Sequence, residues 1–231
     1  MIDNFKQIEQ FMQFDSDSFY KFEALIRNTD GENPLWYDGI SNSNKNILIK
    51  NWYVNSQEYY DRIKHEMRVL CDLTGARLYV TLDRKSQSKL LRVILQNVTE
   101  LVLASLQGDA IGIKKLNKIL ASTTSLIDTT CKGHRTIMFD VDSADVRYLY
   151  LVSAYIESHT DNYFILPTKQ GYHVFCFKTF NSSNWAKSML KWIEDKPEYS
   201  DITEQGIENN ISMKPNQLGL VYHPEREFTN A

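Results

Sequence analysis

Two aspartates lie one residue apart at the end of an apolar run, in the segment TIMFDVDS (136–143). On a β-strand successive side chains point to opposite faces, so Asp140 and Asp142 share a face, with Cα atoms roughly 6.5 Å apart. Two carboxylates at this spacing can hold one divalent cation or a pair of them. The same pattern is also typical of a strand that ends at Phe139 and is followed by solvated loop acids or a helix cap. The D-x-D alone leaves both interpretations open.

A second stretch, PTKQGYHVFCF (167–177), adds residues that suit phosphate. It reads as a turn containing Lys169 and Gly171, followed by a strand that carries His173 near its start. Lysine and histidine side chains can contact phosphate oxygens, while a metal held by aspartates neutralises the charge that develops at phosphorus. The two stretches together indicate a phosphoryl-transfer site.

A third group, Arg84, Lys85 and Ser86, stands between an apolar strand and the longest predicted helix. Ser86 can cap this helix, and a helix N-terminus with a basic pair beside it favours bound anions. With Lys169, these residues predict a positive rim on one side of the aspartates. A solvated charged turn is the alternative. Repulsion between the two aspartates further predicts that asparagine at either position raises stability when no metal is bound.

Helices and strands alternate along the chain, which predicts a mixed α/β (α+β) fold. Residues 1–46 are interpreted as an N-terminal helical extension, with one helix near Phe5–Met12 and a second running through Ile26. Residues 47–231 are interpreted as the α/β domain that carries the site, with which the extension forms either a separate unit or a single domain. Residues 30–46 are turn-rich, and residues 194–210 read as a polar linker. The long helix after Ser86 carries a broad apolar stripe, predicted to face the core: Leu91, Ile94, Leu95, Val98, Leu101, Val102 and Leu106.

The composition of the chain bears on its partners, its compartment and any association with a membrane. Of 231 residues, 42% are hydrophobic and 24% charged, and the net charge of −3 provides no global positive field for nucleic acid. Three cysteines without paired spacing predict reduced thiols in the cytoplasm. The longest apolar runs fall short of the roughly 20 residues that span a bilayer, so no membrane association is expected.

Three segments of the chain resemble those of a known family. The segments TIMFDVDS and LPTKQGYHVFCF are similar to the first two motifs of the archaeo-eukaryotic primase superfamily, which includes primase-polymerases. The segment ARLYVTLDRKS is similar to an element that often precedes the first motif. The resemblance covers roughly residues 47–222 and is specific at these short motifs.

The resemblance implies an RRM-like sheet that carries the site, a nucleoside triphosphate substrate, a single-stranded nucleic acid template and Mg²⁺ or Mn²⁺. It implies Asp140 and Asp142 as metal ligands, His173 as a triphosphate contact and Lys169 in the loop that approaches the phosphates. It also suggests a divergent phage or mobile-element protein of DNA replication.

One departure concerns the third acid that such enzymes carry at the start of a late strand. Asn210 stands at the corresponding place, and Asp201 and Glu208 are the nearby substitutes. The function is therefore either a metal-dependent nucleotidyltransferase or a catalytically inactive module that binds nucleotide or single-stranded nucleic acid. Two other D-x-D classes fit less well: haloacid-dehalogenase phosphatases, whose downstream acids would have to be Glu194 and Asp195, and D-x-D glycosyltransferases.

Overall fold

The computed structural model describes residues 1–27, 46–108, 115–116, 118–126, 130–131, 136–143, 145–177, 184–215 and 218–224. Within them the chain forms, in order, β1 (Ile2–Asp3), α1 (Phe5–Glu9), β2 (Ser18–Ile26), β3 (Ile47–Val54), α2 (Gln57–Thr74), β4 (Arg77–Thr81), β5 (Lys85–Ser86), α3 (Gln87–Leu106), α4 (Ile119–Thr124), β6 (Ile137–Val141), α5 (Val146–Glu157), β7 (Tyr163–Pro167), β8 (Tyr172–Cys176), α6 (Trp185–Ile193), α7 (Glu204–Asn210), β9 (Ile211–Pro215) and β10 (Leu218–His223). The predicted α+β class is confirmed. Most of the turn-rich segment 30–46 lies outside the described residues.

The first sheet has the strand order β1-β10-β4-β2-β3, with β5 paired to β2. It combines strands from the predicted N-terminal extension with strands from the predicted α/β domain. Helix α2 buries Tyr60, Ile63, Met67 and Cys71. It begins where the Ser56 side chain accepts a hydrogen bond from the backbone N–H of Tyr59, and it ends at Gly75, whose φ is 66°.

The second sheet has the order β7-β8-β6-β9, and every neighbouring pair is antiparallel. Along the chain its strands are joined as β6-α5-β7-β8-α6-α7-β9. This is the β-α-β-β-α-β arrangement, with α6 and α7 as the α-helices described in the second crossover. One face of the sheet packs on α5, α6 and α7 through Phe139, Val141 and Val174. The narrower expectation of a primase-like core stays a prediction.

Hydrogen bonds of two buried residues, Asn4 and Asp83, join the two sheets. The Asn4 side chain donates to the carbonyl oxygens of Pro167 at 3.1 Å and Leu220 at 2.9 Å. At the end of β4, the buried Asp83 accepts from the backbone N–H and the hydroxyl of Thr136, each at 2.7 Å. Since Thr136 immediately precedes β6, this carboxylate fixes the start of the strand that carries the D-x-D.

Three sequence predictions about elements are wrong. Residues 18–26 form the strand β2 instead of a helix, because a strand buried along nearly its whole length shows no alternation of polar and apolar residues. The predicted linker 194–210 contains α7, which is capped by Thr203. Within α3 only Leu90 is buried, and Leu91, Leu95 and Leu106 of the predicted core stripe are exposed.

None of the helices in the described part of the chain has both the length and the apolar character that crossing a membrane requires.

Candidate functional site

A cleft with a volume of about 520 Å³ lies between the two sheets. The first sheet contributes residues of β4 and β10 and the residue that follows β2. The second sheet contributes residues of β6, β8 and β9 and the β7–β8 turn. The lining consists of Arg27, Arg77, Tyr79, Met138, Asp140, Asp142, Thr168, Lys169, Gln170, His173, Lys214, Leu218 and Leu220. The cleft therefore brings together both aspartates, the histidine and the turn lysine that were selected from the sequence.

Asp140 sits at the centre of the second sheet, directly opposite His173 on β8 and Ser212 on β9. His173 Nε2 is 3.3 Å from Asp140 Oδ1. On the other side, Lys214 Nζ is 2.7 Å from Asp140 Oδ2. Because β9 alternates its side chains, Lys214 shares the cleft face with Ser212, two residues away. Each oxygen of this carboxylate thus has a nitrogen partner from a neighbouring strand.

The environment of Asp140 favours its ionised form. Burial alone would raise the pKa of this carboxyl group, since only 11% of the side chain is exposed. Hydrogen bonds and electrostatic interactions with His173 and Lys214 outweigh the burial and lower the pKa to about 2. Asp140 is therefore a fixed negative charge at neutral pH.

Asp142 has a different environment. Asp142 is exposed and lies at the edge of the cleft. Its backbone N–H donates to the carbonyl oxygen of Asn210 at 2.9 Å, which continues the pairing of β6 with β9 beyond the strand end. The two aspartates of the D-x-D thus share a face but differ in exposure and in partners.

The turn that carries Lys169 is held against the D-x-D by Gly171. A Cβ atom at this position would lie 1.9 Å from the carbonyl oxygen of Val141, so the close approach requires glycine. The Thr168 hydroxyl accepts from the Gly171 N–H at 3.1 Å, and the Thr168 N–H donates to the Gly171 carbonyl at 2.9 Å. The turn is therefore closed on itself, and the exposed Lys169 lies at the cleft.

Three cations of the cleft were not selected from the sequence. Arg77 occupies the first position of β4, Arg27 follows β2, and Lys214 lies on β9. Nothing in the local pattern around these residues distinguishes them from ordinary strand or strand-end cations. They become candidates only in the folded chain, where the pairing of β9 with β6 brings Lys214 to the cleft and the first sheet brings Arg27 and Arg77.

The predicted cations Arg84 and Lys85, with Ser86, are not among the residues that line the cleft. Arg84 pairs with Asp15 at 3.2 Å. Lys85 is buried and donates to the carbonyl oxygen of Leu126 and to the hydroxyl of Thr130. Its burial lowers the pKa of the ammonium group. These contacts give the pair a structural role in the first sheet.

The N-terminus of α3, predicted to bind an external anion, is occupied by the chain's own Asp17. This carboxylate accepts from the Ser86 hydroxyl at 2.6 Å and from the backbone N–H of Ser88 at 2.7 Å. The Ser86 hydroxyl also accepts from the Lys89 N–H, as a helix cap does. The hydrogen bond from Ser86, followed by the others at this helix end, lowers the pKa of Asp17.

The residues of the cleft do not fit the divalent-metal site that the resemblance implies. Within the described ranges, no group of three histidine, cysteine, aspartate or glutamate side chains is placed to hold a metal ion. The strand next to the D-x-D offers Ser212 and Lys214 instead of a carboxylate. Asp201 pairs with Arg147 at 2.7 Å, and neither it nor Glu208 lines the cleft. The ionic partner of Asp140 on this strand is the ammonium group of Lys214 and not a further acid.

Comparison of the chain with protein-family models, with curated proteins and with solved structures finds no match in any of the three.

Proposed function

We propose that the cleft binds the phosphates of a nucleoside triphosphate, and that the protein is a primase-like module without nucleotidyl transfer. The observation that carries the proposal is the charge of the lining. Among the described residues, the lining has four cations, Arg27, Arg77, Lys169 and Lys214, and two acids, Asp140 and Asp142, in a protein whose net charge is −3. A concave site with excess positive charge on both walls favours a compact polyanion.

The two walls supply different contacts. Arg77 and Arg27 present guanidinium groups, which can hold phosphate oxygens in bidentate fashion. Lys169 adds a point charge on an exposed turn, and Gly171 keeps that turn beside the D-x-D. Asp140 is screened by His173 and Lys214, so its negative charge does not face an incoming phosphate alone.

Calorimetric titration with ATP tests this proposal. Arg77→Ala and Lys169→Ala should each weaken binding by about tenfold, the value of a hydrogen bond to a charged group. Arg92→Ala and Lys187→Ala are matched controls, because these residues are exposed on helices and do not line the cleft. The controls should bind ATP as the wild type does. Equal affinity in all four variants, or no binding by the wild type, would contradict the proposal.

A metal-dependent nucleotidyltransferase is the second candidate. It is favoured by the meeting of Asp140, Asp142 and His173 in one cleft, as the resemblance implies. Incubation with labelled nucleotides, Mn²⁺ and a single-stranded template separates the two functions. Under the binding proposal neither the wild type nor Asp140→Ala incorporates label. Incorporation by the wild type that is lost in Asp140→Ala would establish the enzyme instead.

We also propose a cytoplasmic location. None of the three cysteines forms a disulfide, and Cys71 and Cys176 are buried. Burial raises the pKa of the Cys71 thiol to about 12, so this group stays protonated and unreactive. Such thiols are typical of proteins in a reducing compartment.

A further inference from the structure

Lys214 is the lysine partner of the first aspartate of the D-x-D. It lies on β9, the strand next to β6, and its ammonium nitrogen is 2.7 Å from Asp140 Oδ2. The two side chains differ in exposure: 11% for Asp140 and 42% for Lys214. The carboxylate is therefore enclosed, while part of the lysine remains accessible from the cleft.

We propose that the Lys214 ammonium is a built-in cation that replaces a divalent metal at Asp140 and Asp142. The cleft then holds its anionic ligand without metal, and the aspartates become a divalent-cation site only when Lys214 is removed. The part of the inference that concerns a ligand rests on the proposed function. The part that concerns the aspartates does not.

Charge repulsion is the first argument. A Mg²⁺ ion binds carboxylate oxygens at about 2.1 Å, so one bound to Asp140 Oδ2 would lie within about 5 Å of the Lys214 nitrogen. Two cations at that separation in a partly enclosed cleft repel each other strongly. The aspartates cannot compensate with a third carboxylate, because the described residues place none beside them.

Donor capacity is the second argument. A protonated lysine has three N–H donors and cannot act as a metal ligand. One donor of Lys214 is directed at Asp140 Oδ2. The remaining donors can reach a phosphate oxygen in the cleft, so the ammonium can bridge carboxylate and phosphate as a divalent ion does. A metal ion is not needed for that bridge.

Titration of the 231-residue chain with Mn²⁺ alone, followed by the electron paramagnetic resonance of the free ion, tests the inference without nucleotide. Lys214→Met should bind Mn²⁺ about tenfold or more tightly than the wild type, since it removes a positive charge beside the carboxylate. Lys169→Met is the matched control, because it removes the same charge from the same cleft but not from the partner of Asp140. The control should gain clearly less Mn²⁺ affinity than Lys214→Met, because Lys169 is not the ion-pair partner of Asp140, and adding Asp140→Asn to Lys214→Met should abolish the gain.

Three results would overturn the inference: equal Mn²⁺ affinity in wild type and Lys214→Met, a gain of the same size in Lys169→Met, or a gain that survives Asp140→Asn. Circular dichroism checks the folding of each variant, and Lys214→Gln replaces Lys214→Met in the same titration if the latter does not fold.

Titration of the wild type with ATP, in EDTA and in Mg²⁺, then separates the two proposals. Affinities equal within about twofold support the inference, because the bridge then needs no metal. A strict Mg²⁺ requirement overturns it. An absence of ATP binding in both conditions contradicts the proposed function, while the Mn²⁺ titration still decides the role of Lys214.

Discussion

Replacing Asp140 by asparagine should destabilise the protein at neutral pH, opposite to the effect expected from repulsion between the two aspartates. The substitution removes a negative charge that has a lysine nitrogen 2.7 Å away and a histidine nitrogen 3.3 Å away. Attraction to these partners exceeds repulsion from Asp142, which is exposed to solvent. Asp142→Asn is therefore the matched control.

The expected loss of stability in Asp140→Asn follows from the pKa of Asp140. A decrease from 3.8 to about 2 on folding corresponds to about 2 kcal/mol of stability at pH 7, at 1.36 kcal/mol per unit. For a chain of this length, that loss lowers the melting temperature by about 4–8 °C. Asp142→Asn should change the free energy of unfolding by less than about 0.5 kcal/mol, as an exposed substitution usually does.

The stability difference between the wild type and Asp140→Asn should depend on pH in a definite direction. Because the folded-state pKa is depressed, the stabilisation is fully present well above pH 3.8 and is lost as the pH falls through about 2. Urea unfolding of wild type and Asp140→Asn should thus differ by about 2 kcal/mol at pH 7 and by roughly half of that at pH 3. Equal stability at pH 7, or a difference that does not change between the two pH values, would refute the assignment of the stabilisation to this ion-paired carboxylate.

Three further substitutions probe how the cleft is positioned. Gly171→Ala should lower the free energy of unfolding in urea by about 1–3 kcal/mol, because the new Cβ would overlap the Val141 carbonyl oxygen; an unchanged midpoint would mean that the turn moves freely. Asp83→Ala should lower the free energy of unfolding by about 2 kcal/mol or more, because two buried donors of Thr136 lose this acceptor. Asp83→Asn keeps an oxygen and should lose less stability than Asp83→Ala. Equal losses in the two variants would contradict this role of Asp83. Ser86→Ala should lower the free energy of unfolding by about 1 kcal/mol and speed amide hydrogen exchange in the first turn of α3. Ser86→Thr should retain the cap. Unchanged exchange in Ser86→Ala would contradict the capping role of Ser86.

The exposed stripe of α3 shows that hydrophobic periodicity predicts a helix but does not predict whether its apolar face is buried. The spacing of Leu91, Leu95 and Val102 predicts a helix, and α3 is the longest helix in the described part of the chain. The same spacing predicts that these side chains are buried, yet all three are exposed. Periodicity records which residues share a helix face, but the surface that covers this face depends on the packing of other elements.

The sequence alone determined the parts of the site that depend on local pattern. An apolar run ending in D-x-D predicted β6, and alternation within a strand placed Asp140 and Asp142 on one face. A turn containing Gly171 predicted the hairpin that leads to His173. Ser56 and Gly75 predicted both ends of α2, because capping is a property of the residues at the helix terminus.

Tertiary structure decided which cations meet the aspartates. Lys214 faces Asp140 only because β9 pairs with β6 in one register, and a shift of one residue would turn its side chain to the opposite face. The β2 strand likewise depends on partners on both sides, β4 and β3, which its local sequence does not specify. Arg84 and Lys85 looked equally suited to phosphate in the sequence, but Asp15 and Thr130 engage them in the folded chain. Local sequence indicates which groups could bind a ligand, whereas the pairing of strands and the packing of the two sheets determine which of these groups share a cleft.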